Sequence, residues 1–488
     1  MKLGNILEKL PFCTYPADCE KLEIKTIEMD SRAVETGALF VCVKGFTVDG
    51  HQFAKQAADQ GAVAIVAEHP VEVNVPVILV RDTTQALAEL ANAFYNNPTR
   101  ELSLIGITGT NGKTTVTYLL EQIFNKFNKK TGIIGTIQMK IGEETIPSEN
   151  TTPDSLLLQK TFRQMQEAEV DTAIMEVSSH ALDLGRVHGC DFDVAVFTNL
   201  SQDHLDYHKD MNEYLHAKSL LFSRLGNTYE GDRKFAVLNV DDANYDYLKN
   251  CAAQHILTYG CKNDAAIKAE DVRLAVTHTA FTLKSPIGDI EIDSKLIGMF
   301  NVYNMLAAAG AAIAKGVPLT VIKEAFESIK GVDGRFEAVR EGQNFAVIVD
   351  YAHTPDSLEN VLLTIKEFAK GKVYVVVGCG GDRDRSKRSL MAGIAVKHAD
   401  HAILTSDNPR TEDPERILDD LTNGLDPDSF VRITDRKEAI EHAVKLAEAD
   451  DIILIAGKGH ETYQIIGHEK IDFDDRVVAK EAIRHKGE

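Results

Sequence analysis

LSLIGITGTNGKTTVTYLLEQIFNKF, residues 102–127, decides how the rest of the chain is read. Its first part, LSLIGITGT, is an apolar run of buried-strand length ending in glycine, and TVTYLLEQIFNKF repeats apolar residues at helical spacing. Between them stand Gly109, Thr110, Asn111, Gly112, Lys113, Thr114 and Thr115. A strand that turns through glycines into a helix points loop N–H groups and the helix N-terminus at one spot, which suits a polyphosphate. On that reading Lys113 meets the β- and γ-phosphates of ATP and Thr114 holds Mg²⁺. The spacing departs from G-x-x-x-x-G-K-[ST], because position 107 is Ile and the nearest glycines are Gly106 and Gly109. The plainer reading is a glycine turn that only packs a helix.

Outward from this loop the chain alternates strands and helices. Upstream lie ALFVCVKG, the helix AKQAADQG, VAIVAE, VPVILV and the helix TQALAELANAFY, ending at Asn96-Asn97-Pro98. Downstream, DTAIMEV, DVAVFTNL and KFAVLNV have the length of buried strands, and the helix NVYNMLAAAGAAIAKG with the turn KGVDGR closes the unit. A third unit offers AVIVDY, KVYVVVGCGGD, HAILTSDNP and DIILIAG, each ending in polar or glycine-rich loops. The expectation is an α/β chain of three domains, 1–98, 99–332 and 333–488. The central one is a P-loop-type mononucleotide-binding parallel sheet, and the last is a Rossmann-like doubly wound sheet with its site at strand C-termini.

Composition narrows the function classes. A formal charge of −21 argues against a nucleic-acid or anionic-membrane surface, though local basic pockets stay open. Cys13, Cys19, Cys42, Cys190, Cys251, Cys261 and Cys379 form no C-x-x-C pair and several sit in apolar runs, so reduced core thiols in the cytoplasm are expected. The start, MKLGNILEKLPF, is too short and charged for a signal peptide, and no stretch is apolar enough to span a membrane.

Two further patterns bear on chemistry. MEVSSH places Glu176 and Ser178 at one strand end, and TNLSQDHLDYH places His204 at the next, so adjacent strands bring both toward the loop. A carboxylate and an imidazole there could serve a second Mg²⁺, or His204 could only cap a loop. Lys218, in EYLHAKSLLF, could be an ordinary surface lysine.

Taken together, GTNGKTT, ENTTPDS, MEVSSHAL, FTNLSQDHLDYH, HAKSLLF, FNVYN, DYAHTPDSLE, GCGGDRD, SDNPR and AGKGHE resemble the Mur ligase family over essentially the whole chain. GTNGKTT alone is shared with folylpolyglutamate synthetases; the ordered set is far more specific. The resemblance implies an ATP-dependent, amide-forming ligase of peptidoglycan precursor synthesis. Its substrates would be UDP-MurNAc-L-Ala-D-Glu, meso-diaminopimelate and ATP, its metal Mg²⁺, and its state a monomer. The family's residues carry over position by position. Thr114 and Glu176 would hold one magnesium, and His204 with a carbamylated Lys218 (N6-carboxylysine) would serve the second. Lys113, Lys218 and His204 would be catalytic. Asn301 and Asn304 would contact the base, Arg335 and Asp350 would reach ATP, and His353 would lie nearby. Ser31 and the stretch Phe46, Thr47, Val48 resemble uridine and diphosphate contacts. Asn150, Thr151, Thr152, Ser178 and Arg186 would bind the muramoyl dipeptide, although Thr151-Thr152-Pro153 also reads as a helix start with Pro at its first position.

The motif set most resembles the third-residue ligases of that family, which add either L-lysine or meso-diaminopimelate; the two differ by a carboxylate beside the distal ammonium. Arg410 offers a fork for that carboxylate and Arg383 for the other. Asp407 and Glu461 would balance the ammonium, with Asn408, Pro409 and Gly457 completing the set. Arg410 therefore favours diaminopimelate; lysine is the alternative. The plainer reading of SDNPR is a capped turn before the helix PERILDDL.

Overall fold

Strand Ser103–Thr108 lies inside an eleven-stranded sheet, fifth from one edge. The computed structural model describes residues 1–45, 48–148, 150–226, 233–275, 278–329 and 331–487. Parallel to Ser103–Thr108 on one side runs Thr172–Glu176, then Thr131–Ile134; on the other run Val194–Phe197, Phe235–Asn239 and His255–Gly260. All but His255–Gly260 are buried almost throughout because helices cover both faces. Ile105, Ile107, Val194 and Val196 pack with apolar residues of helices Lys113–Lys126 and Met299–Ala314. Leu104, Ala195 and Phe197 pack with those of Ser155–Glu167 and Met211–Ser223. The register sets Ile107 beside Glu176 and Thr108 beside Phe197. The loop strand therefore lies between the strands that end in Glu176 and Phe197; the two are its flanks and not each other's neighbours, as the sequence reading had them.

The sheet's outer parts escaped the sequence reading. Antiparallel strands Thr279–Ser285 and Gly288–Ser294 follow Ile267–Leu274 on one edge, and Gln138–Ile141 and Glu144–Pro147 extend the other. Ile267–Leu274 carries Lys268, Glu270, Asp271 and Arg273, so the apolar signal of a buried strand is missing.

Upstream, Thr26–Glu28, Ala38–Val41, Ala62–Ala67 and Val77–Leu79 form a parallel four-stranded sheet. Downstream, a six-stranded sheet runs in the order Glu337–Val339, Ala346–Asp350, Ile452–Ala456, Val373–Val377, His401–Leu404, Phe430–Arg432, parallel except for the first. Alternate residues feed two cores. Val375, Val377 and Leu454 pack toward helices Pro355–Phe368, Ser386–His398 and Pro414–Thr422, while Val376, Ile453 and Ile455 pack toward Arg436–Leu446 and the last helix. This is a doubly wound sheet. Strand Ile452–Ala456, late in the chain, sits between two earlier strands, and the order reverses there, so the loops after residues 350, 377, 404 and 456 open into one crevice. No helix among the described residues is long and apolar enough to cross a membrane, and the seven cysteines are free thiols.

Candidate active site

A cleft of about 1050 Å³ runs from the loop 109–115 to the strand ends of the C-terminal sheet. At its first end Lys113 Nζ donates to the carbonyls of Gly109 (2.9 Å) and Thr110 (2.8 Å). Lys218, buried on helix Met211–Ser223, donates to the same Gly109 carbonyl at 2.9 Å and lies 4.4 Å from the Tyr214 ring centroid. Burial lowers the pKa of both amines, and Lys113's charge lowers Lys218's further, well below the usual lysine range. Lys218 is thus no surface lysine. Gly112 has φ +87°, and a Cβ there would stand 2.3 Å from Asn304 Oδ1, so this turn needs glycine. The loop is less open than its sequence suggests: the N–H groups of Thr110 and Asn111 are already bonded to the backbone and side-chain oxygens of Asn199. What remains for an anion is the first helical turn, Lys113 to Thr115, whose N–H groups have no intrahelical partner.

Glu176 is the hub beside it. Its Oε2 accepts from Thr114 Oγ1 (3.1 Å) and Thr136 Oγ1 (2.9 Å), and its Oε1 from the Thr136 N–H. Thr136 was not foreseen, since it follows a short strand in a bland stretch, GTIQ. Thr114 and Glu176 are paired hard oxygens and fit Mg²⁺. His204 and Lys218 do not offer a hard pair as they stand; they fit a second Mg²⁺ only with Lys218 as a carbamate. His204 has φ +56° and its ring is 4.9 Å from that of His180. Burial and the cations Lys218 and Lys113 hold it neutral, against the pull of Asp203.

Residues 150–152 dock against the Glu176 strand. Thr152 Oγ1 donates to the Glu176 carbonyl and accepts from Ser178 N–H, while Arg186 Nη1 donates to the Thr152 carbonyl. Asn150, Thr151, Thr152, Ser178 and Arg186 all line the cleft. The helix-start reading moves: the cap is Asp154, and Pro153 stands before it rather than at the first helical position. Asn304 also lines the cleft, but Asn301 is turned into the fold, donating to the Ile297 carbonyl at 2.9 Å, so it supports Asn304 rather than facing a base. Ser31 is buried with Oγ toward Gln56 and Val48 is exposed; neither lines the cleft. Phe46 and Thr47 lie outside the described residues.

The C-terminal sheet meets the loop directly. Arg335 lies over the Tyr351 ring, 4.2 Å from its centroid, and donates to Thr114 Oγ1 at 3.1 Å. Asp350 accepts from the N–H groups of Phe336 and Ala352, and its burial raises its pKa against the pull of Arg335. Asn111 donates to Asp356, and Asp203 faces His353 and Lys387, each at 3.8 Å. Nothing local marks Asp203 and Lys387; they meet only because the C-terminal unit, whose helix Ser386–His398 carries Lys387, packs against the loop after Val194–Phe197.

At the far end, four loops converge. Arg410 sits at φ +52°, an unusual conformation for a side chain of this size, held by Arg410 N–H to Ile465 carbonyl (3.0 Å) and Gly467 N–H to Arg410 carbonyl (2.7 Å). Its Nη1 donates to the Gly381 carbonyl at 2.8 Å. Burial and the like charge of Arg383 lower its pKa, so two guanidinium groups stand close together on the cleft wall and call for an anion. Asp407 and Glu461 line the same end, and a Cβ on Gly457 would lie 2.7 Å from Asp407 Oδ2. The helix Pro414–Thr422 is capped by Asp413, so the capped-turn reading of SDNPR fails and Asp407 and Arg410 are not used as caps. Pro409 is buried and off the cleft wall, its carbonyl accepting from Glu412 N–H.

Comparison with known proteins follows the same layout. Family models match in three blocks: "Mur ligase family, catalytic domain" over residues 23–95, "Mur ligase middle domain" over 107–312 and "Mur ligase, glutamate ligase domain" over 334–459. The chain is 61% identical, over 100% of both sequences, to the UDP-N-acetylmuramoyl-L-alanyl-D-glutamate–2,6-diaminopimelate ligase of Oceanobacillus iheyensis. It is 60% identical to the enzyme of that name from Bacillus cereus, over 99% of this chain and 98% of the other. A solved structure of a ligase of the same name superposes with TM-score 0.72 at 35% identity, covering 100% of both chains. A MurF structure from Acinetobacter baumannii, at 22% identity and TM-score 0.66 over 89% of this chain and 90% of that one, shares the fold. With its three blocks in order and relatives of such identity along its full length, this chain belongs to the Mur ligase family.

Proposed function

We propose that this chain is the ATP-dependent ligase that joins meso-2,6-diaminopimelate to the D-glutamyl γ-carboxyl of UDP-MurNAc-L-Ala-D-Glu, giving the UDP-MurNAc-tripeptide, ADP and phosphate. The observation that carries the choice of amino acid is Arg410 beside Arg383 on a wall that also presents Asp407 and Glu461. Diaminopimelate brings a carboxylate and an ammonium to that wall. L-lysine brings only the ammonium and leaves a half-buried guanidinium unpaired, which a site of this kind penalises heavily. The relatives quoted above are named for diaminopimelate, not lysine.

The roles follow the order of the cleft. We divide the chain at 1–98, 99–332 and 333–488, assigning the UDP-sugar, ATP and the amino acid to the three parts in turn. Gly109 to Thr115 receive the polyphosphate, with Asn304, Arg335 and Asp350 closing on the nucleotide. Ser31 and Val48 belong with the UDP end. Asn150, Thr151, Thr152, Ser178 and Arg186 hold the dipeptide so that its γ-carboxylate faces the γ-phosphorus. A carboxylate oxygen attacks that phosphorus, ADP leaves, and the acyl phosphate then takes the amine at its carbonyl carbon and releases phosphate. Lys113 sets positive charge where negative charge gathers in both steps. Magnesium, held by Thr114 and Glu176 and, with Lys218 carbamylated, by His204 and Lys218, supplies charge neutralisation at the phosphates when bound. Arg335, reaching across to Thr114, draws the C-terminal sheet over the cleft and keeps water from the acyl phosphate.

ADP release by the purified chain tests this reading. It should require UDP-MurNAc-L-Ala-D-Glu together with meso-diaminopimelate, and Arg410→Ala should cut kcat/KM for the amino acid by about 100-fold or more while KM for ATP stays put. Comparable rates with L-lysine in the unmutated enzyme, or an intact preference in Arg410→Ala, would overturn the assignment.

A further inference from the structure

We propose that Lys458 is a specificity-determining residue of the amino-acid end, acting through Glu461 and Asn408 without touching the ligand. The inference rests on the reading of that end as the diaminopimelate site. Lys458 stands between Gly457 and Gly459, both at positive φ (+113° and +52°), and its side chain is 0% exposed behind the cleft wall. Its Nζ donates to Glu461 Oε2 at 3.0 Å and to Asn408 Oδ1 at 3.1 Å. Asn408 Oδ1 also accepts from Ile465 N–H (3.0 Å), and Asn408 Nδ2 donates to Glu461 Oε2 (2.9 Å). These bonds fix which way the Asn408 amide points and commit one oxygen of Glu461 inward. Glu461 Oε1 has no partner among the described residues and is the oxygen left for a ligand.

The arrangement also sets the charge of the site. Arg383 and Arg410 already face Asp407, Glu461 and the exposed Asp382, and Lys458 adds one buried positive charge directly against Glu461. A far end bearing both ammonium and carboxylate adds no net charge there. A lone ammonium adds another positive charge while Arg410 goes unmatched. Were Lys458 neutral, one positive charge beside Glu461 would be gone, and a lone ammonium would be accepted more readily. Lys458 thus both aims Glu461 and weakens its pull on an ammonium that comes without a carboxylate.

The test compares full-length enzyme with Lys458→Met and Lys458→Gln in the ADP-release assay, with UDP-MurNAc-L-Ala-D-Glu, Mg²⁺ and either meso-diaminopimelate or L-lysine. Lys458→Gln retains an N–H donor without the charge and gives a second reading if the methionine variant folds poorly. The expected result is a ratio of kcat/KM, diaminopimelate over lysine, that narrows about tenfold or more in both variants, with KM for diaminopimelate raised and KM for ATP unchanged. A lysine that were only a structural pin would lower kcat/KM for both amino acids by one factor; that result, or an unchanged ratio, overturns the proposal. An unmutated enzyme that fails to use diaminopimelate overturns the underlying site assignment instead, and shows it before any variant is compared.

Discussion

The two ends of the cleft are built in opposite ways. The nucleotide end is centred on one contiguous loop between one strand and one helix, and its lysines are held by backbone carbonyls of that loop. The amino-acid end gathers loops after residues 377, 404 and 456, with strand Tyr463–Ile466 laid against them, and is braced by buried side-chain ion pairs. Arg388, 0% exposed, forks onto Glu412, reaches Asp420 and donates to the Gly380 carbonyl, tying the Arg383 loop to the Arg410 loop. Arg436 and Asp475, likewise buried, bond to each other while Arg436 also donates to the carbonyls of Ala456 and Ser406. A site made of backbone keeps its shape when one side chain is cut. A site made of side chains does not.

The largest expected effect lies at the first end. Lys113→Ala should lower kcat by about 1,000-fold, since one fixed charge at the transferring phosphoryl is lost. The loop should keep its form, so thermal stability and KM for the amino acid should change little; a comparable loss of stability would erase the contrast between the ends. The next is Arg388→Leu. It leaves Glu412, Asp420 and the Gly380 carbonyl without their shared partner, and should cost about 2 kcal/mol of stability, less than a fully buried pair because both acids are partly exposed. KM for the amino acid should rise while KM for ATP holds; equal changes in both would mean the brace serves the whole molecule.

The smallest effect belongs to the seam. Burial, with the Lys387 charge second, pushes His353 down to about 4, so it is neutral in the folded protein at pH 7. The unfolded chain takes up that proton near pH 6.5. The stability so contributed is whole above about pH 6.5 and drains away as pH falls toward 4. The unfolding midpoint should therefore drop between pH 7 and 5, and His353→Gln should flatten that slope; an unaltered slope would assign it to other groups.

The contrast also explains what could be read in advance. Strand, glycine loop and helix at 102–127 were legible because their determinants are adjacent, and the C-terminal strands because both their faces are buried. The side-chain motifs AGKGHE and SDNPR meet at one end of the cleft, but Lys458 inside the first is mute in sequence: a lysine in a motif looks solvent-facing until its burial is seen. The cap before PERILDDL was placed on SDNPR rather than on Asp413, three residues past Arg410, because two Asp-containing turns compete there and only hydrogen bonds choose. Asn301 misled for a like reason: on a helix start one Asn faces the cleft and the other the turn below, and spacing alone does not tell them apart.

Lys113 and Lys218 share one carbonyl inside a chain whose formal charge is −21. ATP, itself an anion, thus approaches through a repelling envelope to reach a small attracting core. Dissolved ions shorten the reach of the envelope far more than that of the sheltered core. A moderate rise in ionic strength should therefore speed the nucleotide's arrival, the reverse of what an exposed cationic surface would give.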